Sequence, residues 1–383
     1  MTNNPLLSVI IPTKNRQYTC LFAIESVLAI KNQDYEIIVQ DCSDTDILRD
    51  QIKERFSEDG RIKYFYTNAK PSMTDNWNMA YANAIGEYQC AIGDDDAVFS
   101  EIYEVAKWAK QHQIDVINQP NCYDYKWPDF DDQALNGHLI IEQSFTGDTK
   151  TFNDYEQRLS YNLHKVDLSY VNLPMAYHCL LSKKIIELIK HSTGIFLDGT
   201  SLDVYSSCVI GFFSKQWVTV NYPITLRGAC GQSNSNRILK KDNRKHFEEY
   251  SDLAWPKELP PIHSLQTTIG ESMIKALTNI NQENRKKEIN FAKINACSTL
   301  ERRESFHDIL RFLSSSNTSL KGWCLFSKEL VLQLSKDYAR KIGLTQLLRR
   351  SSVKEKIPCN TIIEALIWHK NNNKVALGFV EKQ

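Results

Sequence analysis

Glycine is sparse in this 383-residue chain, 14 in all, and none follows its first apolar run. The residues there are Thr13-Lys14-Asn15-Arg16. A dinucleotide-binding dehydrogenase needs glycines at that turn so that the backbone can approach a pyrophosphate, so a nicotinamide enzyme is not expected. The pattern GxxxxGK[ST] occurs nowhere, which excludes P-loop chemistry. Ten cysteines are scattered without a CxxC pair or zinc spacing. Cys90, Cys179 and Cys208 lie in apolar runs and read as buried free thiols of a reducing compartment. No run of about 18 apolar residues exists, so no helix is expected to span a membrane. Met1 to Leu7 is polar and enters a strand directly, so no signal peptide is expected. The expected location is the cytoplasm, with room for peripheral contact on the inner face of the plasma membrane.

There is no net charge either, with 46 Lys+Arg against 46 Asp+Glu. The balance is uneven along the chain. Residues 240–383 hold 25 basic and 16 acidic residues, a surplus of +9, and the first 239 hold 21 and 30, a deficit of −9. An acidic half suits a metal, and a basic half suits an anionic surface or simply the solvated faces of helices. No nucleic-acid partner is expected.

The first third alternates strands and helices. Leu7 to Pro12, Glu36 to Val39, Ile62 to Tyr66, Gln89 to Ile92 and Asp115 to Asn118 read as strands. Arg16 to Ala29, Asp46 to Phe56, Thr74 to Ile85 and Ser100 to Gln111 have helical spacing. Gly86 is the expected C-cap of the third helix and Ser100 the N-cap of the fourth. This pattern predicts a mostly parallel α/β sheet with helices on both faces. Residues 120–175 read as loops and short strands over a site. Lys183 to Lys190 is helical and stops at Gly194, and another helix runs from about Thr200 through Val209. From about Leu239 the pattern is helix after helix. The expected division is residues 1–238, with a nucleotide-binding half at 1–120 and an acceptor half at 121–238, followed by a basic helical region at 239–383. Trp77, Trp323, Phe326 and Trp368 read as core residues.

Asp94, Asp95 and Asp96 close the fourth strand. Three adjacent carboxylates repel, so one must gain a proton or find a cation. A divalent ion carrying a phosphate-bearing substrate meets that need. Asp41 ends the second strand, and in parallel sheets ligands bind beyond the carboxyl ends.

Ser8-Val-Ile-Ile-Pro-Thr-Lys-Asn-Arg16, Glu36-Ile-Ile-Val-Gln-Asp41 and Gly86-Glu-Tyr-Gln-Cys-Ala-Ile-Gly-Asp-Asp-Asp96 resemble the family 2 glycosyltransferases of the GT-A fold. The strong motifs cover about residues 6–120. The resemblance implies a Rossmann-like sheet and inverting transfer from a nucleotide-diphosphate sugar, UDP-linked. The implied acceptor is a hydroxyl of a surface glycan, a lipid-linked glycan or a polyol-phosphate polymer. It places Pro12, Thr13, Asn15, Arg16, Asp41, Asn78, Asp94 and Asp95 around the donor, and Asp96 with Asp94 on Mn²⁺ or Mg²⁺. An ionised carboxylate such as Asp41 is a pure acceptor, suited to an imide N–H or ribose hydroxyls.

An inverting transferase also needs a general base. In the resembling family this is a carboxylate at the start of a helix, well after the aspartates. Gly199-Thr-Ser-Leu-Asp203 fits that position, with Asp198 in reserve. Thr200 and Asp203 also have capping-box spacing, so Asp203 as a helix cap stands as the rival reading. The family's usual Glu-Asp wording is absent here. His178 and Tyr205 are candidate acceptor-side residues. Arg227 to Ser235, including Ser233, reads as a polar lid over the donor.

Two other functions compete. Asp94-Asp-Asp-Ala-Val98 loosely fits the DxDx[TV] pattern of aspartyl-phosphate phosphatases, whose nucleophile sits on the first strand rather than the fourth. The chain could also be a non-catalytic glycan-binding or assembly subunit that retains the fold. Residues 239–383 suit acceptor binding, a membrane surface or oligomerisation.

Overall fold

The computed structural model describes residues 4–167, 173–233, 254–316, 318–341, 354–373 and 375–380. The chain opens with β1 (Leu7–Thr13), α1 (Gln17–Leu28), β2 (Tyr35–Asp41), α2 (Ile47–Phe56), β3 (Ile62–Tyr66), α3 (Met73–Asn83) and β4 (Tyr88–Ala91). It continues with β5 (Ala97–Val98), α4 (Ile102–Gln111), β6 (Val116–Asn118), β7 (Tyr123–Lys126), β8 (His138–Ile141), β9 (Thr149–Phe152) and α5 (Tyr155–Lys165). Then come β10 (Leu180–Ser182), α6 (Lys183–Thr193), α7 (Leu202–Ser214), β11 (Trp217–Val220) and β12 (Thr225–Ala229). The C-terminal part holds α8 (Leu265–Asn279), α9 (Phe291–Glu301), α10 (Phe306–Ser315), α11 (Leu320–Lys341), β13 (Glu355–Pro358) and α12 (Ile362–Asn372).

The larger sheet runs β3-β2-β1-β4-β10-β6-β11-β9. Strands β1 to β4 are parallel to their neighbours, as is β11 to β6, whereas β10 and β9 run antiparallel. The mostly parallel α/β architecture expected from the sequence is therefore present, with helices on both faces and a helical C-terminal region. Side-chain alternation explains the two covered faces. Val9, Ile11, Ile37 and Val39 enter one apolar core, and Ile10 and Ile38 enter the other. Strand order reverses around β1, which places a ligand crevice at its carboxyl end. Register sets Thr13 beside Asp41 and Asp41 beside Tyr66 along that edge.

A second sheet has the order β13-β8-β7-β12-β5. Its outer strand comes from the end of the chain, where Glu355–Pro358 pairs antiparallel with β8. Ile362 and Ala365 then pack into a core with Trp127 and Leu139. Leu377 reaches the core beneath β1. The C-terminal region therefore returns to the N-terminal half. The expected boundary at residue 238 lies outside the described residues.

Three local expectations are corrected. Gly86 does not cap α3, whose C-cap is Ala84 in an extended conformation. Gly86 is instead needed for close approach, since its N–H donates to Ser8 Oγ at 2.8 Å and an added Cβ would lie 2.4 Å from that oxygen. Ser100 does not cap α4, whose N-cap residue is Glu101, without a side-chain cap bond. The start of the expected lid is strand, because Arg227 to Ala229 belongs to β12. Residues 234 and 235 of that segment lie outside the described residues. Gly194 does cap α6, in the left-handed region at φ 81°.

Candidate active site

The aspartate cluster is built by the turn after β4. Asp94 and Asp96 are fully buried and Asp95 nearly so. Burial of this kind is tolerated only where partners meet the charge. Asp94 Oδ2 accepts from Thr13 Oγ1 at 2.7 Å, and Oδ1 pairs with Arg16 Nη2 at 2.6 Å. Arg16 Nη1 lies 3.4 Å from Asp95 Oδ2. Burial alone would lower the Arg16 pKa, but Asp94 and Asp95 outweigh it and raise it. Ser233 Oγ also donates to Asp95 Oδ2, as does Cys230 N at 3.3 Å.

Asp96 is as fully buried as Asp94. Its Oδ2 accepts from Gly93 N at 2.6 Å and Tyr177 Oη at 2.5 Å, and its Oδ1 accepts from Gly228 N at 2.6 Å. Burial and the neighbouring Asp95 push its pKa up. Burial likewise raises Asp94, against the pull of Arg16. His178 Nε2 lies 3.4 Å from Asp96 Oδ2, while Nδ1 meets Thr225 Oγ1 at 2.8 Å. Burial, then Arg227, holds the imidazole pKa well below its ordinary value, so the ring is neutral.

The loops after β1 and β2 form the adjoining rim. Asn15 has φ 57° and joins them. Its N–H donates to Ser43 Oγ at 2.7 Å, its Nδ2 to Asp44 Oδ2 at 2.9 Å, and its Oδ1 accepts from Asp44 N at 3.0 Å. Pro12 is buried inside β1. Asp41 accepts from Ser43 N and Tyr64 Oη, both at 2.8 Å. Arg227 reaches in from β12 and pairs with Asp124 at 2.9 Å.

Asp203 stands apart chemically. It lies in the first turn of α7, whose N-cap is Ser201 without a side-chain cap bond. Thr200 Oγ1, the other half of the suspected capping box, donates to Glu271 Oε2 at 2.9 Å instead. The capping reading of Asp203 is therefore not realised. Ser206, one turn on, accepts from Ala176 N at 3.0 Å, which draws the 175–177 segment against this face of α7. The Asp203 charge is felt by Tyr177, the residue bonded to Asp96. Among the described residues, nothing donates a hydrogen bond to the Asp203 carboxylate. Burial pushes its pKa up to about 6 although part of its surface stays open.

Several expected site residues are used otherwise. Asp198 pairs with Lys275 Nζ at 3.0 Å and accepts from Asn279 Nδ2 at 3.2 Å, so it is already neutralised. Asn78 spends both amide ends on Leu197, donating to its O at 2.8 Å and accepting from its N at 3.1 Å. Tyr205 is fully buried and its Oη accepts from Asn279 at 2.9 Å. Trp77 packs on the core and meets Tyr177 edge to face at 5.8 Å.

The sequence reading missed the supports of the loop that carries Asp203. Helix α8 packs on α7 and holds residues 198–201. Glu271 Oε2 accepts from Thr200 N at 2.9 Å, and Ser272 Oγ accepts from Ser201 N at 2.9 Å. From the other side, Thr74 Oγ1 donates to Gly199 O at 2.7 Å. Glu271, Lys275 and Asn279 recur every four residues, a spacing that a solvated helix face would also give.

A divalent cation can be tested against these atoms. Among the described residues, no group of three His, Cys, Asp or Glu side chains gathers as a cage. Asp96 is occupied by its three donors. Asp95 Oδ1 accepts no hydrogen bond among the described residues. One free carboxylate oxygen fits Mg²⁺ or Mn²⁺ arriving with phosphate oxygens, a mode that needs only one or two protein carboxylates.

The family model described as glycosyl transferase family 2 matches residues 8–165. A GalNAc(5)-diNAcBac-PP-undecaprenol beta-1,3-glucosyltransferase of Campylobacter jejuni is 38% identical over 97 residues, 25% of this chain and 31% of that protein. A candidate colanic acid biosynthesis glycosyl transferase, WcaA, of Escherichia coli K12 is 38% identical over 99 residues, 25% of this chain and 34% of that one. The chain thus spans about a third of the length of these curated relatives. The solved structure of S. aureus TarS 1-349 with UDP-GlcNAc aligns at a TM-score of 0.47 and 15% identity, over 85% of this chain and 79% of that one. Over residues 8–165, this chain matches the family 2 glycosyltransferases.

Proposed function

We propose that this protein transfers a sugar, with inversion, from a nucleoside diphosphate sugar to a hydroxyl of a lipid-linked or surface glycan. The acceptor oxygen attacks the anomeric carbon, the bond to the diphosphate breaks, and the leaving group keeps the electron pair. Asp203 takes the acceptor proton. The base of the donor, uracil in this reading, lies against Asp41 in the rim joined by Asn15. Asp94, held by Thr13 and Arg16, borders the ribose and the donor sugar. The geometry favours Asp95 over Asp96 as the residue that holds a divalent cation. When bound, that cation neutralises charge on the departing diphosphate. Arg227, beside Asp96, supplies further positive charge at the rim. The names of the two curated relatives support a lipid-linked or surface glycan as acceptor.

The observation that carries the reading is the Asp203 carboxylate, at the start of α7 with no hydrogen bond from the described residues and within electrostatic reach of Tyr177. A base needs a lone pair free to accept, and a helix N-terminus favours the ionised form. The first experiment is a thermal-shift screen of nucleotide sugars with and without Mn²⁺. UDP-sugars raise the melting temperature in Mn²⁺, and Asp203→Asn keeps that shift while losing transfer. If no nucleoside diphosphate stabilises the protein, the donor site is refuted. If Asp203→Asn transfers normally, the chain's base is elsewhere. A binding subunit would show donor stabilisation and no turnover in either form.

A further inference from the structure

Helix α11 has two unlike faces along its 22 residues. The inner face packs on α9 and α10, with Phe326 buried and Trp323 and Leu330 against Ile309 and Leu313. The outer face is apolar where water should meet it. Leu320 is 81% exposed, and Val331 and Tyr338 are each 67% exposed. With Leu334 these residues fall on one stripe at helical spacing. Exposed Lys321, Lys328 and Lys336 run along the adjoining strip, interleaved with Leu325 and Leu332. No exposed side chain described on α11 is acidic. Its two acids, Glu329 and Asp337, are half-buried on the inner side. Glu329 accepts from Asn290 Nδ2 at 3.3 Å. The basic bias continues in sequence, since Tyr338 to Lys354 holds five Lys or Arg and no Asp or Glu.

A second copy of this chain is a poor occupant for that face. A two-fold contact would set the face against itself, and among the described residues of α11 its lysines would meet no exposed carboxylate. Spanning a membrane is also excluded for this helix, since no described helix is long and apolar enough. A bilayer surface with anionic lipids supplies both missing halves. Its acyl boundary takes the apolar stripe, and its phosphates take the ammonium heads of lysines whose stems lie along the surface.

We propose that α11 lies in the plane of an anionic phospholipid surface, with Val331, Leu334 and Tyr338 inserted and Lys321, Lys328 and Lys336 on the headgroups. The inference stands independently of sugar transfer and its test needs no substrate. The full chain is sedimented with vesicles of phosphatidylcholine alone and with vesicles of equimolar phosphatidylcholine and phosphatidylglycerol. Binding is expected only to the anionic vesicles and falls as salt rises. Each lysine replaced by alanine weakens it about fivefold, and the triple variant weakens it about a hundredfold. Val331→Asp also abolishes binding while circular dichroism stays unchanged. Equal binding to both vesicle types, or unchanged binding by the triple variant, overturns the proposal. So does a wild type that ignores both vesicles and is a dimer by light scattering that Val331→Asp dissociates. That result would make a second copy the occupant.

Discussion

Two acidic regions meet around Tyr177, and they are built in opposite ways. The Asp94 to Asp96 turn is buried and heavily bonded, with Arg16, Thr13, Ser233, Tyr177 and the Gly93 and Gly228 amides spread over five of its six oxygens. Asp203 is partly open and accepts nothing from the described residues. A carboxylate wrapped in donors is fixed in place and serves as a framework. A bare one in a protein interior costs stability and keeps its capacity to take a proton. On the proposed function, this difference suits a positioning role for the cluster and a chemical role for the single aspartate.

The contrast breaks most sharply at Asp203 itself. Asp203→Asn is expected to lower kcat about 10²–10⁴-fold, the usual contribution of a positioned base. Donor affinity, read by thermal shift, stays the same. In the wild type, kcat/KM should fall as the pH drops below about 6, where Asp203 becomes protonated. A pH profile that stays flat through that region excludes Asp203 as the base.

The cluster should respond with the other sign and through stability. Arg16→Ala leaves Asp94 buried without its cation, and breaking a buried pair in this way typically costs about 3–5 kcal/mol. The expected result is a large fall in the denaturation midpoint. Arg16→Lys recovers part of it, because an ammonium cannot reach both Asp94 and Asp95 as a planar fork does. An Arg16→Ala protein as stable as wild type would show that the cluster is not held by charge.

Asp203→Asn should instead stabilise the fold. The folded pKa of about 6 lies above the ordinary 3.8, so between those values the folded state binds more protons than the unfolded chain. Stability therefore falls as pH rises through that window, and the full cost is present above about pH 6. Removing the charge recovers about 1–2 kcal/mol at pH 7, a figure reduced for the part of Asp203 open to solvent. Denaturant titrations of both proteins at pH 4 and pH 7 check the sign, and the gain should vanish at the lower value. A loss at pH 7 would mean that Asp203 makes a stabilising contact.

The sequence was uneven as a guide to these two regions. Continuous apolar runs ending in Asp41 and Asp94 gave the strands and the edge where the acids lie, because a strand buried on both faces leaves a strong local signal. Partner assignments were not legible. Arg16 and Asp94 are 78 residues apart, and Gly228 is 132 residues from the Asp96 that it caps. Asn78 and Tyr205 carry plausible chemistry in sequence, yet long-range packing directs one to Leu197 and the other to Asn279. The return of Glu355–Pro358 to β8 was hidden for the same reason, since a four-residue edge strand has little pattern of its own.

The smallest expected effect tests how Asp203 is held. Its loop sits between Thr74 on α3 and Glu271 on α8, a helix beyond the residues that match the family model. Glu271 is buried and accepts from both Thr200 N and Thr200 Oγ1. Glu271→Ala leaves that buried amide without a partner, at about 1–3 kcal/mol. Some of this cost appears as stability and some as a misplaced base, so kcat should drop about tenfold. Glu271→Gln retains an acceptor oxygen and should recover most of the rate. Donor KM should not move, because Asp41 at the end of β2 and Asn15 and Asp95 on the neighbouring loops make no described hydrogen bond with α8. If KM rises and kcat holds, α8 supports the donor side instead. If neither moves while Asp203→Asn is inactive, Thr74 and Ser272 suffice to hold the loop.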